Sequence, residues 1–247
     1  MLRFVVPAYN EDKNIEALVE STRTCAESRS CEYQIIVIND GSTDKTVELL
    51  QNLKKKKIPI VILDQVVNKG VGEAFKRGFS YVVEVAEDSD IIVTKEADNT
   101  SDLSIMDAMI HKINDGSDLV LASCYMPGGD INGANLYRKI LSSCANFLLR
   151  MITSLRDIHT FSSFYRAYRA SLIKKACAAY GDNLIEEKGF SCMAELLLKL
   201  SKFDIKITEV PMVLNSGLRK GKSKMKTLKT IGGYLRLIIK NLPRTIL

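Results

Sequence analysis

Five short apolar runs, separated by helical stretches, constrain this chain more than any other feature. Residues 2–6, 34–38 (QIIVI), 59–63 (PIVIL), 90–94 (DIIVT) and 118–122 (DLVLA) are continuous rather than alternating, as in parallel strands buried on both faces. Between them, residues 12–28, 43–56, 71–87 and 102–114 repeat apolar side chains every three or four positions. That spacing predicts amphipathic helices. The βαβα order predicts an α/β domain: an open, mostly parallel sheet with helices on both faces. At 247 residues the chain suits one such domain with an appendage and can bury a full core.

Beyond residue 123 the alternation stops. Pro127-Gly128-Gly129 and Asn132-Gly133 mark an irregular loop. A long helix is predicted over 135–153, then further helices and a late strand over 205–210. Lys54-Lys55-Lys56-Lys57 reads as a solvated helix end, favourable to the helix dipole.

The net charge of +6 is unevenly placed. Residues 215–247 hold nine Lys/Arg and no Asp or Glu, leaving the rest with 26 basic against 29 acidic side chains. Apolar residues at 225, 228, 231, 235, 238, 239 and 242 predict an amphipathic helix, weakened by Gly232-Gly233. We therefore divide the chain into a catalytic-type domain over 1–214 and a basic loop and helix over 215–247. A basic amphipathic helix suits an anionic membrane interface. No aromatic interleaving favours nucleic acid as a partner. No stretch approaches 18 apolar residues, and no leader pattern opens the chain. The six cysteines form no C-x-x-C pair, so a reduced cytoplasmic setting without structural zinc is expected.

In an open α/β sheet, ligands bind beyond the carboxyl ends of the strands. Those ends read Pro7-Ala8-Tyr9-Asn10-Glu11, Asn39-Asp40-Gly41-Ser42-Thr43-Asp44, Asn68-Lys69-Gly70-Val71-Gly72 and Glu96-Ala97-Asp98. Each has an ordinary structural use. Asn10, Ser42 or Thr43 could cap helices, Ser101 or Asp102 likewise, and the glycines could serve turns. Two carboxylates one residue apart repel unless a cation or a shared proton lies between them. Four polar clusters at one sheet edge point to a site.

The ordered set "VVPAYNEDKNI", "IIVINDGSTDKT", "NKGVGEAFKRGF" and "EADNTSDL" resembles the inverting family 2 glycosyltransferases of the GT-A (Rossmann-like) fold. The later "DIHTFSSFYRAYR", "GFSCMAELLLKL", "ITEVPMVL" and "RKGKSKMK" are similar to the dolichyl-phosphate mannose synthase and polyprenyl-phosphate branch. The resemblance covers about residues 2–230. It implies that Pro7, Ala8, Tyr9, Glu11, Asp40, Gly70 and Ala97 line a nucleotide pocket, with Asp40 accepting a hydrogen bond from the base. It also implies that Glu96 and Asp98 act in catalysis by holding Mg²⁺ or Mn²⁺ on the diphosphate, consistent with the oxygen ligands such cations take. Arg138 and Ser142, one helical turn apart, match the acceptor-phosphate residues. Arg219, Gly221, Ser223 and Lys224 resemble a loop that closes over phosphates. Three positions depart from the pattern: Glu96 for Asp, Thr100 for Gln, and Cys124 for Arg. Arg166 reads as structural, in a salt bridge with Asp157.

The expected function is metal-dependent, inverting transfer of a sugar from a GDP- or UDP-linked donor to a polyprenyl phosphate. The enzyme would work at the cytoplasmic membrane face, peripherally bound, with a membrane-embedded protein as a candidate partner. A glycan or glycolipid hydroxyl is the alternative acceptor. It would need a general base, with Asp157 and Glu195 the candidates; Glu195 could instead simply pair with Lys199. The three departures favour a third reading, a non-catalytic nucleotide-sugar-binding or membrane scaffold.

Overall fold

The computed structural model describes residues 1–133, 136–221 and 223–242, apart from the Arg138 side chain. The strands are β1 (Leu2–Ala8), β2 (Tyr33–Asp40), β3 (Ile60–Gln65), β4 (Ile91–Thr94), β5 (Leu119–Ser123), β6 (Asp130–Asn132), β7 (Arg166–Arg169), β8 (Ile207–Pro211) and β9 (Val213–Asn215). The helices are α1 (Ile15–Glu27), α2 (Thr46–Lys55), α3 (Val71–Val85), α4 (Met106–Asn114), α5 (Leu136–Ile152), α6 (Ala170–Tyr180), α7 (Cys192–Leu200) and α8 (Thr227–Asn241).

Seven strands form one sheet in the order β3-β2-β1-β4-β7-β5-β8. β3, β2, β1 and β4 run parallel, as do β5 and β8, while β7 lies antiparallel between β4 and β5. The parallel expectation therefore holds for every predicted strand. β7 was not predicted because its four residues, Arg166-Ala167-Tyr168-Arg169, are too short and too basic to read as a strand. β6 and β9 pair in a separate two-stranded parallel sheet.

Each sheet face carries its own core. Val5, Ile36, Ile38, Phe75, Phe79, Tyr168 and most of α7 fill one side. Phe4, Val6, Ile35, Val37, Val93 and the inner faces of α1 and α4 fill the other. α1 buries Ile15, Leu18, Val19, Thr22, Cys25 and Ala26, the three-and-four spacing of an amphipathic helix. α7 is buried almost all round, so it reads as a continuous apolar run.

α8 docks on this body. Gly233 approaches Ser191 so closely that a Cβ would lie 2.1 Å from its Oγ, and Leu237 is buried. Arg236 makes a two-pronged bond to Glu187 at 2.8 Å on each oxygen. The weak point of the predicted helix is thus a packing requirement. No helix among the described residues is long and apolar enough to cross a membrane, and all six cysteines are free thiols.

Candidate active site

β4 ends at Thr94, and the chain turns at Asn99, whose φ of +62° lies in the left-handed region that Asn tolerates. Within this turn the Thr100 N–H and hydroxyl both donate to Asp98 Oδ1, at 3.1 and 2.7 Å. The Ser101 hydroxyl donates to Glu96 Oε2 at 2.8 Å. Asp102, not Ser101, caps the following helical turn by accepting from Ser104 N–H at 2.8 Å. Capping is therefore done by a third carboxylate, which leaves Glu96 and Asp98 for other chemistry. Burial and the neighbouring Asp98 charge push the Glu96 carboxyl up to about 7. Such a pair lacks positive charge, and Arg219 supplies some. Its Nε donates to Asp98 Oδ2 at 2.6 Å, and its Nη2 pairs with the same oxygen.

The donor set fits a hard divalent cation. Two carboxylates lie on one turn, Asp98 beside the basic Arg219 segment, and such a cation completes its shell with phosphate oxygens. Among the described residues no group of three or more acidic, His or Cys side chains is assembled.

Pro7 and Ala8 close β1, and half-buried Tyr9 leads into Asn10, again left-handed at φ +53°. Asn10 does not cap α1: its Oδ1 accepts from Thr43 N–H at 2.8 Å and its own N–H donates to Ser42 Oγ at 3.0 Å. These bonds tie the ends of β1 and β2 together. Glu11 is buried, its carboxyl raised chiefly by burial, and accepts from Asn14 Nδ2 at 2.6 Å and Lys224 Nζ at 3.3 Å. The Asp40 carboxylate accepts from the Lys69 and Gly70 main-chain N–H groups at 2.7 and 3.0 Å, and burial raises it. A carboxylate has about four acceptor positions, so Asp40 holds the β3–α3 loop with capacity left for a ligand. Gly70 is required where it stands. Its φ is +99°, and a Cβ would meet Lys188 O at 2.5 Å. Ala97 is buried between the two carboxylates.

On the acceptor side, Ser142 is half-buried on α5, and its side chain interacts with the Tyr125 phenol. The side chain of Arg138 lies outside the described residues. Gly133, just before α5, lies against Gly217, and the Asn215 N–H donates to Thr100 O at 3.2 Å. The start of α5 and the Arg219 segment therefore share one rim. Cys124 is buried and its thiol is pushed up to about 12 by burial, so it supplies no cation where the pattern has Arg.

One expectation needs correction, and another is decided between its two readings. Arg166 is fully buried and pairs with no carboxylate among the described residues; its guanidinium donates to Ser163 O at 2.7 Å and Phe161 O at 2.8 Å. Main-chain carbonyls of its own turn are nearer partners than Asp157, which is exposed. Glu195 follows its other reading, as the partner of Lys199, and is no free base. It accepts from the Glu186 and Glu187 N–H groups at 3.0 and 2.8 Å and from Lys199 at 2.7 Å. Two residues escaped the sequence reading. Asn14, at the start of α1, gives no local sign of its long-range bonds. Lys95, 1% exposed, sat inside a strand end where a lysine reads as surface.

Residues 4–176 match the profile described as Glycosyl transferase family 2. The chain is 31% identical over 236 residues to the dolichol-phosphate mannosyltransferase of Pyrococcus furiosus, covering 95% of this chain and 61% of that protein. It is 25% identical over 210 residues to the polyprenol monophosphomannose synthase of Mycolicibacterium smegmatis, covering 84% and 75%. Among solved structures, S. aureus TarS in complex with UDP-GlcNAc superposes with a TM-score of 0.65 at 17% identity, over 97% of this chain and 66% of that one. Glucosyl-3-phosphoglycerate synthase from Mycobacterium tuberculosis, in complex with Mn²⁺, UDP and phosphoglyceric acid, gives 0.64 at 17%, over 98% and 79%. At that identity the two structures establish the GT-A fold and nothing finer. With a carboxylate pair at the end of β4, that fold, and a profile match over most of its length, the chain belongs to glycosyl transferase family 2.

Proposed function

We propose that this protein moves a sugar, with inversion, from a GDP- or UDP-linked donor to a polyprenyl phosphate, assisted by Mg²⁺ or Mn²⁺. The observation that carries the reading is the Asp98 carboxylate at the carboxyl edge of the sheet, bonded to Arg219 and close enough to Glu96 to raise its carboxyl. The names of the two curated relatives support the acceptor class. The chain spans 61% of the first relative's length, so its substrates are inferred for this chain.

Asp98 and Glu96 would hold the cation, which when bound offsets the charge developing on the departing nucleoside diphosphate. Arg219 and Lys224 lie beside Asp98 and Glu11, where they can add donors to phosphate oxygens. Ser142, with Arg138 on the same helix, would orient the acceptor phosphate. That phosphate is already an anionic nucleophile at neutral pH, so catalysis reduces to positioning and electrostatics. This suits a site in which Glu195 is fully engaged by Lys199 and two amides.

A membrane location is supported by where apolar surface is left exposed. On α5, Leu136, Ile140, Phe147, Leu148 and Met151 are exposed, and on α8 Leu228, Leu235 and Ile239. Neither helix carries an acidic residue. This stripe lies on the helix that bears Arg138 and Ser142, and would seat the acceptor's phosphate end at the bilayer surface. Replacing Ile140 and Phe147 together by Asp should reduce sedimentation with phosphatidylserine vesicles by tenfold or more, on the order of the roughly 1.5–3 kcal/mol each buried apolar side chain contributes. Unchanged sedimentation would remove α5 from the membrane contact.

The reading is tested by titrating the protein with UDP and GDP, with and without Mn²⁺, then assaying transfer from the preferred nucleotide's sugars to a polyprenyl phosphate. Metal-dependent binding of one nucleotide and formation of a lipid-linked sugar are expected. Absence of binding to both would overturn the enzymatic reading and favour a scaffold.

A further inference from the structure

Arg219 meets Asp98 across 121 residues of sequence, and the contact that holds its segment in place runs through Asn14. This residue is 1% exposed, and both ends of its carboxamide are in use. Oδ1 accepts from the Lys220 N–H at 2.9 Å, and Nδ2 donates to Lys220 O at 2.9 Å and to Glu11 Oε2 at 2.6 Å. The side-chain amide thus pairs with the Lys220 peptide in both directions, as a neighbouring strand would. The Asn14 carbonyl accepts from Asn99 Nδ2 at 3.0 Å. One residue therefore joins three pieces of the site: the Glu11 end of β1, the turn carrying Asp98, and the Arg219–Lys220 segment.

A second observation separates this from ordinary helix chemistry. Asn14 occupies the N-cap position of α1, where an Asn side chain commonly accepts a main-chain N–H of the first turn. It makes no such bond. The carboxamide is turned away from the helix it begins and toward Lys220.

We propose that Asn14 is a positioning residue for the donor site: it fixes the Lys220 main chain before any ligand arrives and so sets Arg219 over the carboxylate pair. Part of the donor site is then pre-built, and ordering that segment is not charged against donor binding. Arg219 is paired with Asp98. A divalent cation by itself meets a guanidinium there, whereas a diphosphate offers Arg219 another anion. The donor half of this inference rests on the function proposed above; the latch itself does not.

The test uses Asn14→Ala and Asn14→Ser. Ser is a good N-cap and so supports α1 without placing a charge beside Glu11, while its shorter side chain lacks the two donated bonds. Trypsin cuts after Arg219 and Lys220, so limited proteolysis of the ligand-free protein reads the latch directly. Because each lost hydrogen bond shifts an equilibrium severalfold, both variants should be cleaved at these bonds about tenfold faster than the native chain. Cleavage elsewhere and the thermal transition should change little. In a transfer assay KM for the donor should rise by a similar factor with kcat less affected.

A residue that merely supported the fold would lower the transition and speed cleavage throughout. That result, or cleavage at 219–220 within twofold of native in both variants, would overturn the proposal. If the native protein binds no nucleotide, the functional reading falls, while the ligand-free proteolysis still decides the latch.

Discussion

Lys95→Met should raise the unfolding temperature at pH 7 by about 5 °C or more, since roughly 2–3 kcal/mol corresponds to 2–4 °C per kcal/mol in a domain of this size. Lys95 follows the last residue of β4, is 1% exposed and lies close enough to Cys25 of α1 to interact with it. Its ammonium makes no hydrogen bond or ion pair among the described residues. Burial pushes it down from 10.5 to about 8, against the partial support of Glu96, Cys25 and Asp98. Folding therefore disfavours the charged form, and every tenfold weakening of proton binding corresponds to about 1.4 kcal/mol. Between about pH 8 and 10.5 the unfolded chain binds the extra proton and the native chain does not, so native stability rises across that window. Methionine fills a similar volume without a charge. Its advantage should be full below pH 8 and shrink toward pH 10, which calorimetric melts at pH 7 and pH 10 would show. A melt unchanged at pH 7 would mean that the ammonium has a partner in solution. The lysine carries a functional counterpart, because its charge favours ionised Glu96. The stabilised variant should therefore transfer sugar several times more slowly, as when a strained site is relaxed.

The sequence carried the sheet well because buried parallel strands leave a dense local signal. Ile36, Val37 and Ile38 of β2, or Leu119, Val120 and Leu121 of β5, are wholly buried and read as unbroken apolar runs. β7 failed for the opposite reason. Arg166 and Arg169 satisfy main-chain carbonyls beside the strand, a use of arginine that no periodicity announces. The carboxylates and glycines at the strand ends were legible because a turn there restricts residue type. What joins them was not. Arg219 to Asp98, Lys224 to Glu11 and Lys220 to Asn14 are each separated by more than 100 residues. Such bonds depend on how far a loop folds back, which local spacing does not encode. Glu195 shows the same limit from the other side. Its identity suits a catalytic base or a partner for Lys199; the fold shows the lysine pairing and adds two amides that no local spacing announces.

Asp98→Ala should lower transfer by roughly a thousandfold, the scale of about 4 kcal/mol in the barrier. Three contributions converge on this carboxylate. It is the better placed of the two expected cation ligands, oriented by both Thr100 bonds. It holds Arg219 at 2.6 Å. Its charge helps keep the Glu96 carboxyl near 7, so in the variant Glu96 should ionise at lower pH without gaining a cation partner. The loss should therefore not be repaired by raising the pH. In nucleotide titrations the increment in affinity produced by Mn²⁺ should vanish, while weak metal-free binding remains, since Arg219 is released to meet phosphate alone. Thr100→Val separates orientation from ligation. It removes the 2.7 Å hydroxyl bond and leaves the carboxylate, so it should cost about tenfold in kcat, on the order of one hydrogen bond to a charged group. If Asp98→Ala kept a tenth of native activity and its Mn²⁺ dependence, the cation would have to be held elsewhere. Glu96, with Ser101 and the phosphates, would then be the ligand around which the chemistry is arranged.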